Sequence, residues 1–286
     1  IVLFISKFSI FEFNMNTFLS FFESLSNLQK ISWVVICMTF FWLIEGAFPA
    51  VVLGYKKWRH AKVNIVLLGT TILINALFGI VTAGVFVWVG SHSFGLLNWV
   101  NWPTWVEVIV GIMLLDFVAQ FGVHYILHKF GPLWRFHMVH HSDTHLDVTS
   151  GTRHHPGDYL FRELFSLLAV VLGGLPFAFY LVYRIITVLF TYWTHANFDL
   201  PRGVDKALSY LIVTPRMHKF HHHYQRPWTD ANFGNILSIW DRMFGTFVSG
   251  DSRDIQYGLD VLDNSRSEDL AYQLKVPFDK SILVDE

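Results

Sequence analysis

Thirteen of the 15 histidines in this sequence lie between His124 and His223. They include three ordered groups: His124-x3-His128, His137-x2-His140-His141 and His218-x2-His221-His222. Residues three and four apart share one face of a helix, so we expect each group to present two or three imidazoles to one point. These eight histidines are enough ligands for two metal ions, with coordination positions left open for oxygen and a substrate.

The spacing does not name the metal, because imidazole suits zinc, copper, iron and nickel. The single cysteine, Cys37, argues against copper–thiolate and iron–sulfur sites and against a cysteine-based zinc finger. A lone histidine is better explained as a buried or solvated residue, and we interpret His60, His92, His145 and His223 in this way. For three ordered groups that explanation is weak, because packed imidazoles without a metal would leave many polar groups unpaired near lipid.

The composition places these histidines in a membrane protein. The chain has 286 residues, of which 53% are hydrophobic and only 15% charged. Soluble domains carry about 25% charged residues, so this chain has too few for an ordinary soluble enzyme. The net charge of −1 and the absence of a long basic run argue against a nucleic-acid partner.

The apolar segments predict an all-α integral membrane protein with about four transmembrane helices or helical hairpin arms. A span needs roughly 20 apolar residues. The clearest segment contains no Asp, Glu, Lys or Arg and covers residues 63–89. The other predicted spans cover residues 31–53, residues 104–124 and a hairpin at 159–198.

The basic residues predict the orientation of the multi-pass chain. Four lysines and arginines lie in residues 54–62, whereas residues 90–103 contain none. Because basic loops stay in the cytoplasm, we place 54–62 on that side. All three histidine groups then lie at the cytoplasmic boundary, in a helical cap that holds a binuclear metal site. The predicted location is a bacterial cytoplasmic membrane or the endoplasmic reticulum.

Three regions are predicted along the chain. Residues 1–30 form an N-terminal segment that is partly an upstream extension. Residues 31–250 form the membrane domain with its cytoplasmic histidine cap. Residues 251–286 form a polar tail, in which Ser265 and Glu268 are expected to make the capping box of a short amphipathic helix.

The order of these motifs resembles the fatty acid hydroxylase/sterol desaturase superfamily over roughly residues 35–250. Besides the histidine groups, the similar segments are Leu133-Trp134-Arg135-Phe136-His137, Asp147-Val148-Thr149, Arg153-His154-His155-Pro156, His195-Ala196-Asn197, Asp230-Ala231-Asn232-Phe233-Gly234 and Trp240-Asp241-Arg242-Met243-Phe244-Gly245-Thr246. The sequence departs from the family pattern at Tyr125 and at Gly157-Asp158, which leaves the subfamily and the substrate open.

The resemblance implies a non-haem centre of two iron ions that uses O2 on a lipid C–H bond. It implies that the eight motif histidines are ligands. His155 and His195 would be accessory ligands or groups that orient the ligands, and Asn232 and Asp241 would orient ligands or brace the cap. Zinc could occupy the same imidazoles in purified protein, but it has no redox chemistry.

The chemistry agrees with this resemblance, because an alkyl C–H bond offers no group for an acid, a base or a nucleophile and a redox metal must act on it. Our leading hypothesis is a lipid hydroxylase or monooxygenase that acts on a membrane lipid. The alternative is a sterol or lipid desaturase. In either case a separate protein, similar to cytochrome b5 or to ferredoxin, would supply the electrons.

A membrane metal transporter is the less favoured alternative. A transporter places ionisable ligands near the bilayer midplane, whereas the histidines here gather at one face. The acidic candidates in the first three spans are Glu45, Glu107 and Asp116. We interpret Asp116 as a buried residue that orients ligands or supports the fold.

Overall fold

The structure is a computed structural model in which residues 14–251, 253 and 255–283 are described. These residues are helical and contain no β-strand, only an isolated bridge between Ile212 and Leu237. This confirms the predicted all-α class. The first 13 residues of the predicted N-terminal segment lie outside the described part of the chain.

Twelve α-helices are described, numbered here in chain order. They are α1 (14–23), α2 (Asn27–Ala47), α3 (Lys57–His92), α4 (Thr104–Asp116), α5 (Val123–Lys129), α6 (Gly131–His141), α7 (Pro156–Gly173), α8 (Phe177–His195), α9 (Arg202–Leu208), α10 (Pro215–His221), α11 (Ile239–Met243) and α12 (Leu270–Lys275). A π-helical segment, Phe117–Gly122, joins α4 to α5.

Four helical segments are long and apolar enough to cross a membrane, which confirms a membrane protein with about four spans. They are α2, α3 with its continuation to Asn98, the continuous helix Thr104–Lys129, and α8. Of the two arms predicted for residues 159–198, only the second is such a segment. The first arm, α7, carries Asp158, Arg162 and Glu163 near its start.

The first span begins earlier than predicted and also ends earlier. Ser26 caps α2 in a capping box with Gln29, and the helix ends at Ala47, before Pro49. Near this end, the Glu45 carboxylate accepts hydrogen bonds from the backbone N–H groups of Val148 and Asn197. The end of α2 is thereby joined to the cap.

Helices α4, α7 and α8 share the largest apolar cluster, which includes the buried side chains of Leu115, Val170, Phe179 and Tyr183. Between helices in lipid, such packing acts mainly through van der Waals contact rather than through removal of apolar surface from water. The cluster holds together the helices whose ends carry the histidines, so the position of the site depends on it.

The segment between α6 and α7 contains a buried arginine whose hydrogen bonds hold it in place. The Arg153 side chain is fully buried, and its guanidinium donates to Asn64 Oδ1, Ser142 Oγ and the Ser267 carbonyl. These bonds connect α3, the end of α6 and the C-terminal tail, so they order the chain on one side of the histidines.

The expected capping box in the tail is wrong. Helix α12 begins after Asp269, whose side chain accepts from the Tyr272 N–H. Ser265 lies in a preceding short 3-10 turn, and Glu268 instead forms an ion pair with Arg59 at 2.7 Å. The aspartate immediately before the helix takes the capping position because its shorter carboxylate reaches the free N–H groups of the first turn.

Candidate metal centre

The structure gathers nine buried histidines into two neighbouring groups. Site A consists of His124, His128, His137, His141 and His221. Site B consists of His140, His195, His218 and His222. Within each site one ring nitrogen from every residue lies within 4.8 Å of the others. The eight motif histidines are all included, and His195 is the ninth.

The expectation that each sequence motif presents its histidines to one point is wrong for the second and third motifs. On α6, His137 and His141 belong to site A while His140 belongs to site B. On α10 and at its end, His218 and His222 belong to site B while His221 belongs to site A. Adjacent helix positions differ by about 100° in direction, which is enough to separate neighbouring imidazoles into two sites.

Two imidazoles of site A are held by backbone carbonyl oxygens. His124 Nδ1 lies 2.8 Å from the Phe233 oxygen, and His221 Nδ1 lies 2.6 Å from the Ala231 oxygen. A carbonyl only accepts, so each Nδ1 carries the hydrogen and each Nε2 keeps a lone pair. Both Nε2 atoms are buried without a hydrogen-bond partner among the described residues.

Two more imidazoles of site A are held by carboxylates. His128 Nδ1 lies 3.2 Å from Asp230, and His137 Nδ1 lies 3.2 Å from Asp158. Their Nε2 atoms are likewise buried and unpartnered within the described chain. A histidine ligand commonly donates its second ring N–H to a carboxylate or carbonyl, which fixes the tautomer and the ring orientation. All four imidazoles therefore have the arrangement that a metal requires.

The contacts in site B need a cation to account for them. His140 Nδ1 and His195 Nδ1 donate to the carbonyls of Arg153 and Thr191, so both Nε2 atoms carry lone pairs. These two Nε2 atoms nevertheless face each other at 3.2 Å, and His218 Nε2 lies 3.0 Å from His195 Nε2. Nitrogens that share one ion at about 2.0–2.1 Å lie roughly 3.0–3.4 Å apart, so the spacing fits a shared metal ion.

The loop that supplies the carbonyls of site A is itself braced. Asn232 has a positive φ of 57°, and its amide donates to the carbonyls of Met217 and Val248. The Asp241 carboxylate accepts from the N–H groups of Phe233 and Gly234. Asn232 and Asp241 therefore hold the loop whose carbonyls contact His124 and His221.

Burial keeps these imidazoles neutral. It lowers the pKa of His137 to about 3 despite the opposing Asp158 carboxylate. Burial also lowers the pKa of His141 and His222 well below the usual value, and neighbouring histidines add to the effect. Burial alone would raise the pKa of Asp158, but Arg162 and His137 hold it well below its usual range. Neutral imidazole is the form that binds a metal.

The π-helical segment determines where His124 and His128 point. One π turn adds a residue relative to an α-helix, which rotates everything after it by about 100°. Asp116, before this segment, belongs to neither histidine site. Its carboxylate accepts from Trp240 Nε1 at 2.9 Å and the Leu237 N–H at 3.1 Å, so it fastens the span to the cap.

Other residues near the sites have different positions from those expected. His155 belongs to neither site, because its Nδ1 accepts from the Gly157 N–H and caps α7. His154 donates to Asp158 and stacks on His140 with ring centroids 4.7 Å apart. Asp158 and Asp230, which hold site A histidines, were missed as ligand partners. The sequence signals for them were the departure from the family pattern at Gly157-Asp158 and the family-like segment that begins at Asp230.

Comparison with known proteins agrees with this site. The family model described as fatty acid hydroxylase matches residues 108–246, which include all nine histidines. The match covers just under half of the chain, which resembles the fatty acid hydroxylase family over these residues. The match begins within α4 and ends after α11, so it includes the π-helical segment and the braced loop.

Curated proteins that resemble the chain are named as a hydroxylase and as monooxygenases. The ornithine lipid hydroxylase OlsE of Rhizobium tropici is 33% identical over 147 residues, 51% of this chain and 43% of its own. The alkylglycerol monooxygenase of Homo sapiens is 27% identical over 179 residues, 62% of this chain and 38% of its own. The chain thus spans less than half the length of each. No solved structure shows significant similarity to it.

Proposed function

We propose that this protein is an O2-dependent hydroxylase that inserts oxygen into a C–H bond of a membrane lipid. The observation that carries the proposal is the pair of buried histidine sites. The Nε2 atoms of site A have no partner among the described residues, and those of site B face one another at 3.0–3.3 Å. The hydroxylase and monooxygenase relatives support the reaction type. The position of the sites at the ends of spanning helices, rather than at midspan, favours an enzyme over a metal transporter.

We assign one iron ion to each site, with five histidines at site A and four at site B. When bound, the two ions would supply the oxygen reduction and C–H oxidation that protein side chains cannot perform. The chain itself orients the ligands. Asp158, Asp230 and the carbonyls of Ala231 and Phe233 hold the Nδ1–H groups of four imidazoles.

The protein also keeps bulk water away from the reaction. All nine histidines are at most 5% exposed. A site from which bulk water is excluded has stronger electrostatic interactions, and a reactive oxidant formed there undergoes fewer side reactions. Because burial keeps the imidazoles neutral, they need not lose protons before they bind the metal ions.

A cavity of about 500 Å³ among α2, α3, α7 and α8 supports a lipid substrate. Its walls are largely apolar and include Ile31, Val34, Ile72, Ala76, Leu181 and Val188. Glu163 and Arg184 form an ion pair at its side, where Asn75 and Tyr159 also bind the guanidinium. An apolar cavity with a few polar groups suits an amphiphile. We assign this cavity to the substrate lipid.

The orientation belongs to the same proposal. The basic residues of 54–62 favour a cytoplasmic position for the histidine cap, where a soluble reductase system could reach it. Electrons would come from a separate protein of the cytochrome b5 or ferredoxin type.

Isotope labelling tests the reaction. Membranes that contain the protein are incubated with ¹⁸O2, and their lipids are analysed by mass spectrometry. We expect one labelled oxygen in a lipid product, and none from His141→Ala membranes. A new double bond without label would mean desaturation, and no new lipid product at all would contradict the proposed function.

The cavity offers a separate test with a matched control. Gly79 lines the cavity and Gly84 lies on the same helix outside its lining, and an added Cβ meets nothing within 4 Å at either position. We expect Gly79→Leu to fill the cavity and strongly reduce labelled product, and Gly84→Leu to leave it unchanged. Equal activity of the two variants would place the substrate elsewhere.

A further inference from the structure

A second cavity, of about 480 Å³, lies among α9, the beginning of α10 and the chain from α11 onward. It has no lining residue in common with the cavity assigned to the substrate lipid. Its charged lining residues are the cations Arg202, Lys206, Arg216 and Arg242 and the carboxylates Asp205 and Asp251. Four cations against two carboxylates give the lining an excess of positive charge.

The ion pairs around this cavity do not remove that excess. The Asp251 carboxylate is shared by the guanidinium groups of Arg202, Arg216 and Arg253. Arg216 also pairs with Asp205 at 3.6 Å and with Asp199 at 3.0 Å, and Lys219 binds the same Asp199 carboxylate at 2.9 Å. The three carboxylates are thus outnumbered by the cations that already bind them.

Two further cations of the cavity, Lys206 and Arg242, form no ion pair with a carboxylate within the described residues. Lys206 is exposed. The Arg242 guanidinium donates to the Ser209 carbonyl at 3.0 Å and lies 3.8 Å from the centre of the Phe247 ring. Its Nε is buried without a hydrogen-bond partner in the described chain. Both cations can therefore bind an anion without breaking an ion pair.

The surface beside the cavity is apolar and lies against a spanning helix. Four of its large side chains are each more than half exposed: Tyr210, Leu211, Met243 and Phe244. The Phe244 ring packs on Phe117 and Phe121 of the spanning helix Thr104–Lys129, with ring centroids 5.6 and 5.3 Å apart. Phe121 lies one turn before the ligand His124. Exposed apolar side chains beside cations, at the histidine end of a span, are typical of a membrane interface.

We propose that this cavity binds the phosphate of an anionic membrane lipid, whose acyl chains lie along the exposed apolar side chains. The donors are the Arg242 guanidinium, whose planar fork matches a phosphate, and the Lys206 ammonium. A soluble phosphate compound would use the same donors but would gain nothing from Leu211, Met243 and Phe244, so the apolar surface favours a lipid. The inference concerns a separate site and does not depend on the proposed function.

Native mass spectrometry of the detergent-solubilised protein tests this binding directly. The protein is titrated with dioleoyl phosphatidylglycerol and with dioleoyl phosphatidylcholine, which has the same acyl chains but no net charge. Since each cation near a lipid surface contributes about 1 kcal/mol, we expect the anionic lipid to bind at least about tenfold more tightly at low salt. The preference should shrink at high salt, because salt screens exposed charges.

The donors are tested by removing one charge at a time. Lys206→Gln and Arg242→Gln should each lower the preference for the anionic lipid about fivefold. Lys62→Gln removes an exposed lysine near the start of α3, outside the cavity, and should keep the wild-type preference. Melting temperatures are measured for all variants. Because Arg242 also holds the Ser209 carbonyl, Lys206→Gln decides the result if Arg242→Gln is unstable.

The outcomes that would overturn the inference are distinct. Equal binding of the two lipids by the wild type would mean that the cavity selects no anionic headgroup. A wild-type preference retained in Lys206→Gln would place the lipid elsewhere. If inorganic phosphate or glycerol 3-phosphate displaced the anionic lipid at equal concentration, the ligand would be a soluble anion rather than a lipid. None of these measurements requires lipid oxidation, so they leave the proposed hydroxylase function untouched.

Discussion

Replacing Asp158 with asparagine removes a negative charge from behind site A while keeping the size and shape of the side chain. The carboxylate accepts from His137 Nδ1 at 3.2 Å, His154 Nδ1 at 2.9 Å and Arg162 Nε at 3.1 Å. An amide has one acceptor oxygen and one NH2 group, so at least one of these donors would face another donor. The His137 ring would then lose the contact that fixes its orientation.

The expected loss of metal affinity at site A depends on how deeply this contact is buried. Removing a group that orients a metal-bound histidine typically weakens metal binding 10- to 100-fold, or about 1.4–2.7 kcal/mol. Asp158 is completely buried, so we expect an effect of roughly 100-fold at site A. Asp230 is 16% exposed and shared with Lys129, and for Asp230→Asn we expect only about tenfold.

The assay is a chelator titration of the iron-loaded protein in detergent, with the bound metal counted by elemental analysis. In Asp158→Asn, one of two ions should leave at a chelator concentration that leaves both in the wild type. Asp260→Asn, at an exposed aspartate, is the control for the loss of one charge. If Asp158→Asn retains both ions as tightly as the wild type, the reasoning that Asp158 orients a ligand is wrong.

Three further predictions concern the ligands, the topology and the acid response. His222→Ala should lose the site B ion, whereas His223→Ala, which belongs to neither site, should keep both; equal metal loss by elemental analysis would contradict the assignment. A reporter fused at Ser249 should be cytoplasmic and one inserted near Ser93 external, and the reverse result would invert the topology. Since burial lowers the pKa of His137 to about 3, only the unfolded chain takes up a proton there below about pH 6.5. The metal-free protein should thus lose up to about 1.4 kcal/mol of stability per pH unit from this residue as the pH falls, and pH-independent melting between pH 7.5 and 5.5 would refute this.

The sequence predicted the spans well where composition alone decides them. A long run without charge is readily placed in lipid, and the predicted span 63–89 lies within α3. The helix begins six residues earlier, at Lys57, and so includes most of the basic segment 54–62 that was predicted to connect two spans. The first hairpin arm was less predictable, because α7 mixes apolar residues with Asp158, Arg162 and Glu163. Those charges bind partners on other elements or on the same helix, and contacts of this kind are not visible in one sequence.

The gathering of histidines was predictable from their spacing, but their division between two sites was not. Spacing defines a shared helix face, whereas the position of α6 and α10 beside the other helices decides which site each imidazole meets. His195 stands alone in the sequence, and the resemblance implied only an accessory ligand or an orienting group there. Its position at the end of α8 makes it the ninth member. The partners of the Nδ1 atoms are mostly backbone carbonyls, which have no sequence signature.

The π-helical segment Phe117–Gly122 has a consequence for how this protein can vary. The depth of a helix in the bilayer and the direction of its side chains are normally coupled, since each added residue changes both. A π turn inside the span separates depth from direction. It rotates His124 and His128 about the helix axis and changes the length of the span only a little. Deleting one residue from the segment should restore an ordinary helix and rotate both histidines by about 100°. The length of the spanning helix and the direction of its metal-binding histidines can therefore change independently of each other during evolution.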